Sequence, residues 1–133
     1  MVLDTSAVLA LLFNEADADA IEVALDRDAV RLLSAASCVE AAIVLEARLG
    51  EAGGREFDLL VHKAGIDIVA VTAEQAEVAR DAWRRFGRRR HRAGLNFGDC
   101  FAYALAIVSG EPLLCKGDDF AKTDVQRVGL GTD

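Results

Sequence analysis

The sequence predicts an α/β fold in which a short central parallel sheet is flanked by helices, giving three α/β/α layers. Short apolar runs alternate along the chain with longer segments whose apolar residues fall on one helical stripe. Because parallel strands need helical crossovers, this alternation favours a parallel sheet with both faces covered. A length of 133 residues fits one domain over residues 1–133, and no linker or repeat divides it.

Composition argues against several classes of protein. The formal net charge of −7 disfavours binding of duplex nucleic acid by phosphate neutralisation alone. Cys38, Cys100 and Cys115 show no C-x-x-C spacing, and the only histidines are His62 and His91, so a zinc site is not expected. The longest apolar stretch is shorter than the ~20 residues that span a bilayer. With no export signal at the N-terminus, we expect a cytoplasmic protein without a membrane partner.

The first half of the chain is predicted to hold two strands and four helices. The strands are expected at residues 1–3 and 30–33, and the helices at residues 7–13, 17–28, 34–50 and 55–64. In the second helix, Ile21, Ala24 and Leu25 fall on one buried stripe. Gly50 and the Gly53-Gly54 pair are interpreted as stop signals between the third and fourth helices.

The second half continues the alternation. Buried strands are expected at residues 66–71 and 113–115, an edge strand at residues 125–128, and helices at residues 72–86 and 96–109. Thr72 and Gln75 have the spacing of a capping box. The residues predicted to face inward from the 72–86 helix are Ala79, Ala82, Trp83 and Phe86. Those predicted to be buried in the 96–109 helix are Phe101, Ala104, Leu105 and Val108.

Acidic side chains recur where predicted strands end or the following helices begin. Asp4 follows the first strand, and Glu40 lies in the first turns of the helix after the second. Asp99 begins a later helix, while Asp118 and Asp119 follow the strand at residues 113–115. In a parallel α/β sheet these positions lie along one edge. We therefore expect four carboxylates to meet there.

Each of these residues also has a purely structural explanation. Asp4 occupies the position of a helix N-cap. Ser37 with Glu40, and Asn96 with Asp99, have the three-residue spacing of capping boxes. The acidic pair after the last strand is typical of a turn. The sequence pattern alone leaves these interpretations open.

Two features favour a metal site. Glu40 has Ile43, Val44 and Ala47 at i+3, i+4 and i+7, so it projects from an apolar helix face. Carboxylates gathered in a partly buried pocket repel one another, and a hard divalent cation relieves that repulsion. Oxygen-only ligands favour Mg²⁺, with Mn²⁺ as a substitute, over zinc. Such an ion activates water for attack on a phosphodiester, which is nuclease chemistry.

Four segments of the chain together resemble the PIN-domain family, and most closely the VapC toxins of bacterial toxin–antitoxin pairs. They are residues 2–7 (VLDTSA), the isolated Glu40, residues 95–106 (LNFGDCFAYALA) and residues 113–120 (LLCKGDDF). Their order and spacing extend over essentially the whole chain. The resemblance implies a PIN-like domain that acts as a Mg²⁺- or Mn²⁺-dependent endoribonuclease. It also implies an RNA substrate, inhibition by a VapB-type antitoxin and a homodimeric state.

The family's acidic positions carry over one by one. Asp4, Glu40 and Asp99 match its three strongest acidic positions, which implies that they are catalytic metal ligands. Many members have Asp three residues before the Phe, where this chain has glycine. The resemblance therefore favours Asp118 as the fourth ligand, with Asp119 the less favoured choice.

Supporting and basic residues complete the comparison. Thr5, Ser6 and Asn96 match positions that support the family's site through hydrogen bonds. A basic segment at the end of the 72–86 helix is expected to contact RNA or the antitoxin. A solvated helix end explains the same segment equally well. Its members are Arg84, Arg85, Arg88, Arg89, Arg90 and Arg92.

Two other functions stay open. A catalytically silent PIN-like scaffold is one, because an acidic position of the family is glycine here. A receiver-like signalling domain is the other, because it shares the size, the parallel sheet and an acidic cluster. Such a domain needs an acidic pair after its first strand, where Asp4 stands alone. It also needs an Asp after a middle strand, where this chain has Thr72 and Ala73. The leading prediction is therefore a toxin endoribonuclease that cuts RNA with metal-activated water.

Overall fold

The structure, a computed structural model, describes residues 1–130, and the predicted domain's last residues, 131–133, lie outside that range. Its elements are β1 (Val2–Leu3), α1 (Thr5–Leu12), α2 (Ala18–Asp26), β2 (Leu32–Ser34), α3 (Ala35–Leu49), α4 (Glu51–Lys63), β3 (Asp67–Val69), α5 (Ala73–Phe86), α6 (Phe97–Ser109) and β4 (Leu113–Leu114), followed by a 3-10 turn (Phe120–Lys122). No helix among residues 1–130 is long and apolar enough to cross a membrane.

The four strands form one parallel sheet in the order β3-β2-β1-β4. Because neighbouring residues of a strand point to opposite faces, β1 serves two cores. Val2 packs into the core formed with α5 and α6, whereas Leu3 packs into the core formed with α1, α2, α3 and α4. The predicted three-layer α/β/α architecture is confirmed.

Two predicted strands are shorter than expected. β3 covers only Asp67–Val69, and Ile68 is 44% exposed. The prediction of a buried strand is wrong here because β3 lies at the edge of the sheet, where one side has no neighbouring strand. Residues 125–128 contribute one parallel bridge, between Leu113 and Arg127, and no full strand.

The Gly53-Gly54 pair does not end a helix. It lies inside α4, which begins at Glu51 directly after Gly50. Gly50 has φ +65° and ends α3, so of the predicted stop signals only Gly50 ends a helix. Gly53 has a different role: a Cβ atom there would clash with the backbone carbonyl of Leu45 in α3. The glycine therefore lets α4 pack closely against α3.

Two predictions of inward-facing residues are wrong. Ala79, Ala82 and Phe86 are buried as expected, but Trp83 is 45% exposed. Val108 is also exposed, because the buried surface of α6 is its central part, residues 102–106, rather than a narrow stripe. The exposed tryptophan becomes important beside the candidate site.

We expect Gly53→Ala to lower the free energy of unfolding by about 1–3 kcal/mol, because its methyl group would overlap a backbone atom that cannot turn away. Gly54→Ala is the matched control. Its methyl group would meet only the flexible side chain of Glu46, and alanine is about 1 kcal/mol more favourable than glycine inside a helix. Urea unfolding of both variants measures the difference. Equal effects would contradict the proposed close packing.

Candidate active site at the carboxyl edge of the sheet

Asp4 stands where β1 ends and α1 begins. Its backbone N–H donates to the carbonyl of Leu114 in β4 at 2.9 Å, which continues the strand pairing. Its Oδ2 accepts a hydrogen bond from the backbone N–H of Ser6 at 3.0 Å, so Asp4 is the N-cap of α1. The side chain is almost fully buried, with a residue exposure of 4%. The cap interpretation is confirmed, and the carboxylate also faces the acidic neighbours described next.

Burial raises the pKa of Asp4 to about 6. Hydrogen bonding with Ser6 opposes the rise, while the negative charges of Asp99 and Glu40 add to it. Three carboxylates from β1, α3 and α6 are therefore close enough to repel one another. A buried carboxylate with acidic neighbours is costly in its charged form unless a cation accompanies it.

Glu40 reaches from α3 to the start of α6. The predicted Ser37–Glu40 capping box is wrong, because α3 begins earlier and Ser34 is its N-cap, accepting from the N–H of Ala36 at 3.2 Å. Glu40 instead lies against Gly98, where any Cβ atom would clash with its Oε2. Gly98 thus makes room for a carboxylate in the first turn of a helix, where negative charge is favoured.

Asp99 is held by a complete capping box at the start of α6. Its backbone N–H donates to Asn96 Oδ1 at 2.9 Å, and the Asn96 N–H donates to Asp99 Oδ2 at 3.0 Å. Burial raises the pKa of Asp99, the Asn96 hydrogen bond lowers it, and the charges of Glu40 and Asp119 raise it further. Arg88 opposes these acidic neighbours. The capping and acidic-site interpretations both apply to this residue.

The structure favours Asp119 over Asp118 as the fourth carboxylate. The charge of Asp119 acts on Asp99. Burial is the main reason that the pKa of Cys115 rises to about 11, and the charge of Asp119 contributes to that rise. Asp118 instead lines a separate cleft that it shares with Asp17. Asp119 is thus the nearer of the two to Asp99 in its electrostatic effect, and the choice of Asp118 or Asp119 as the fourth ligand stays a prediction.

The three predicted supporting residues all lie at this edge. Ser6 Oγ accepts a hydrogen bond from the Lys116 N–H at 2.9 Å, which fastens the segment after β4 to α1. Thr5 Oγ1 donates to the Ser37 carbonyl at 3.5 Å, which joins α1 to α3. Asn96 acts through the capping box of α6. These contacts tie together the elements that carry the carboxylates.

The carboxylate oxygens at this edge suit a hard cation, although the side chains that carry them are not tightly clustered. Within residues 1–130, no three His, Cys, Asp or Glu side chains are grouped closely enough to enclose a metal ion. Mg²⁺ does not require such a group, because it keeps several waters and often takes only one or two carboxylates from the protein. The carboxylate of Asp4, which is buried beside other acidic groups, fits that mode of binding.

Arg85 stabilises the fold through side-chain contacts. Its guanidinium contacts Asp124 at 3.0 Å, Asp81 at 3.4 Å and the hydroxyl oxygen of Tyr103 at 3.4 Å. Tyr103 in turn donates to Asp124 at 2.6 Å. Burial would raise the pKa of Asp124, but these hydrogen bonds hold it below its usual range. The network fastens the segment after the 3-10 turn to α5 and α6, a function that the sequence pattern does not reveal.

Three of the remaining arginines have different surroundings. Arg88 lies near enough to Asp99 to lower its pKa. Arg90 places its guanidinium 4.7 Å from the centre of the Trp83 ring and donates from Nε to the Arg84 carbonyl at 3.2 Å. Arg89 has φ +68°, an uncommon backbone conformation for a residue other than glycine. After α5 the basic segment therefore forms a loop of turns. This loop lies near the acidic edge, which is the edge of the sheet that carries Asp4, Glu40 and Asp99.

Almost the whole chain matches a known protein family. A PIN-domain family model matches residues 1–126. Ribonuclease VapC30 of Mycobacterium tuberculosis is 57% identical over 98% of this chain and 99% of its own length. Ribonuclease VapC of Mycolicibacterium smegmatis is 59% identical over 96% of this chain and 99% of its own length.

A solved structure supports the same assignment at the level of the fold. Mycobacterium tuberculosis VapC20, a sarcin–ricin loop cleaving toxin, shares a TM-score of 0.77 with this chain at 19% sequence identity. The match covers 96% of this chain and 97% of that one. From the family match, the close relatives and the common fold, we conclude that the chain belongs to the PIN-domain family and, within it, to the VapC ribonucleases.

Proposed function

We propose that this protein is the toxin of a VapBC-type pair, an endoribonuclease that hydrolyses RNA phosphodiester bonds with Mg²⁺, or Mn²⁺ in its place. The observation that carries the proposal is the buried carboxylate of Asp4, whose pKa rises to about 6 mainly through burial, with the charges of Asp99 and Glu40 adding to the rise. The names of its close relatives, which are ribonucleases, support the RNA substrate. An RNA substrate in turn supports a cytoplasmic site of action.

The chain's own residues would organise the reaction at the sheet edge. Asp4 and Asp99 would hold the ion, with Glu40 beside them and Asp119 at the outer side. When bound, the ion supplies positive charge at the scissile phosphate and lowers the pKa of a water for attack. Glu40, partly exposed against Gly98, would accept the proton that the attacking water loses.

Thr5, Ser6 and Asn96 act as positioning residues. The Ser6 N–H fixes the Asp4 carboxylate, and its hydroxyl fastens the loop that leads to Asp119. Asn96 orients Asp99 through both of their hydrogen bonds. A site whose ligands are fixed before substrate arrives loses less free energy to reorganisation during the reaction.

We expect Asp99→Asn to abolish RNA cleavage in the presence of Mg²⁺ or Mn²⁺, with a rate loss of at least about a hundredfold. Asp119→Asn should lower the rate by about tenfold, whereas Asp118→Asn should cut at nearly the wild-type rate. Cleavage of total RNA, with and without chelator, measures all three. Asn preserves size and capping ability in each case, so thermal unfolding serves as the folding control.

Different outcomes would reject different parts of this assignment. Unimpaired cleavage by Asp99→Asn would reject the acidic site. A larger loss from Asp118→Asn than from Asp119→Asn would restore the preference drawn from the sequence. A wild-type protein that folds but never cuts RNA would support the catalytically silent scaffold. The receiver-like alternative is already excluded, because the PIN-domain model matches residues 1–126.

We also propose that the protein forms a homodimer and binds a VapB-type antitoxin. Val39 and Ile43 on α3 are 59% and 62% exposed, which is unusual for large apolar side chains and supports a protein contact next to Glu40. Sedimentation of the toxin alone should give about twice the chain mass of 14.2 kDa. The paired change Val39→Ser and Ile43→Ser should give monomers. A monomeric wild-type protein would contradict the homodimer.

A further inference from the structure

An aromatic groove lies between α5 and α6, next to the acidic edge. It has a volume of about 450 Å³ and is lined by Trp83, Phe97 and Phe101, with Arg80 and Arg84 at its rim. Phe97 is 79% exposed and Trp83 is 45% exposed. A patch of exposed aromatic side chains marks a candidate interaction site.

The indole of Trp83 is held in one orientation. On one side, the Arg90 guanidinium lies 4.7 Å from the ring centre. On another, Gly87 lies so close that a Cβ atom would clash with the Trp83 carbonyl and with indole atoms Cδ1 and Nε1. The φ of Gly87 is −68°, which any residue adopts, so the glycine serves close packing rather than a special backbone conformation.

The groove lies at the start of α6, the helix that also carries Asp99. Phe97 is the first residue of α6, and Asp99 is in the same helical turn. The Phe97 and Phe101 rings meet edge to face, with centroids 4.8 Å apart and an interplanar angle of 78°. A base seated between these rings and Trp83 would therefore lie within one turn of α6 from Asp99, on a neighbouring face of the helix.

The charge around the groove favours a polyanion. The whole chain carries a net charge of −7, yet among residues 1–130 Arg84 and Arg90 form no ion pair with an acidic side chain. The positive charge of Arg88 also acts on Asp99, where it opposes the rise in the pKa of that carboxyl. Aromatic rings beside guanidinium groups that form no ion pair suit the bases and phosphates of a single strand.

We propose that this groove binds an unpaired base of the RNA, stacked on Trp83 and flanked by Phe97, beside the phosphodiester that is cut. The inference rests on the proposed ribonuclease function and adds to it a base-stacking subsite formed by this chain's own Trp83 and Phe97. Single-stranded segments are recognised by stacking because their bases are free to leave the helix. A second copy of this chain is the competing occupant, and the test separates the two.

Trp83 is the only tryptophan in the chain, so its fluorescence reports on the groove alone. The wild-type protein is titrated in chelator with an unstructured RNA oligonucleotide and with an abasic RNA of the same length. Stacking of a base on the indole should quench the emission with the first RNA and not with the second. Because no cleavage is needed, this readout is independent of the proposed hydrolysis.

Substitutions provide the second part of the test. By anisotropy of a labelled oligonucleotide, Trp83→Leu should bind about tenfold more weakly, because it keeps apolar volume but loses the stacking face. Trp83→Phe should stay within about threefold of wild type. Gly87→Ala, which displaces the indole without removing it, should resemble Trp83→Leu. Circular dichroism and thermal unfolding check that each variant folds.

Three outcomes would overturn the proposal. One is equal quenching of the Trp83 emission by the abasic and the normal RNA, which would show that the groove contacts phosphates and not a base. Another is wild-type RNA affinity in Trp83→Leu. The third combines two observations: the Trp83 emission changes with protein concentration rather than with RNA, and the Trp83→Leu variant dissociates into monomers. That result would assign the groove to a second copy of the chain. Cleavage lost in Asp99→Asn with stacking intact would separate this inference from the proposed chemistry.

Discussion

The parallel pairing of β1 between β2 and β4 is the constraint on which the rest of the structure depends. It places the end of β1 inside the molecule, with the Asp4 N–H bonded to Leu114 in the neighbouring strand. Asp4 is consequently buried whether or not a cation neutralises its charge. The same pairing brings the segments that follow β2 and β4 to the same edge, so Glu40 approaches a carboxylate that burial has already made unstable, and Asp119 approaches Asp99.

Helix capping and the acidic site are two uses of the same atoms. Asp4 caps α1, and Asp99 takes part in the capping box of α6. Each cap holds its carboxylate by backbone hydrogen bonds while leaving further oxygen lone pairs for another partner. Helix starts therefore fix the positions of the acidic groups, and the charge repulsion among them creates the demand for a cation.

Much of this arrangement could be predicted from the sequence, because the alternation of strands and helices and the carboxylates after strand ends follow local rules. Features that depend on contacts between distant segments could not. Gly53 resembles a helix stop until α3 is found against it, and Trp83 falls on the helical stripe of Ala79 yet is exposed beside Phe97. Which of Asp118 and Asp119 acts on Asp99 depends on how the loop after β4 turns, which spacing does not specify.

The most direct test of the central claim is the unfolding free energy of Asp4→Asn with and without Mn²⁺. Folding raises the pKa of Asp4 from 3.8 to about 6, so the charged form is disfavoured in the folded state and the loss of stability is complete above that pH. At pH 8 in chelator, Asp4→Asn should be more stable than wild type by about 1–3 kcal/mol. Added Mn²⁺ should stabilise the wild type and leave the variant unchanged. A variant that is less stable in chelator, and gains as much from Mn²⁺ as the wild type, would contradict the account.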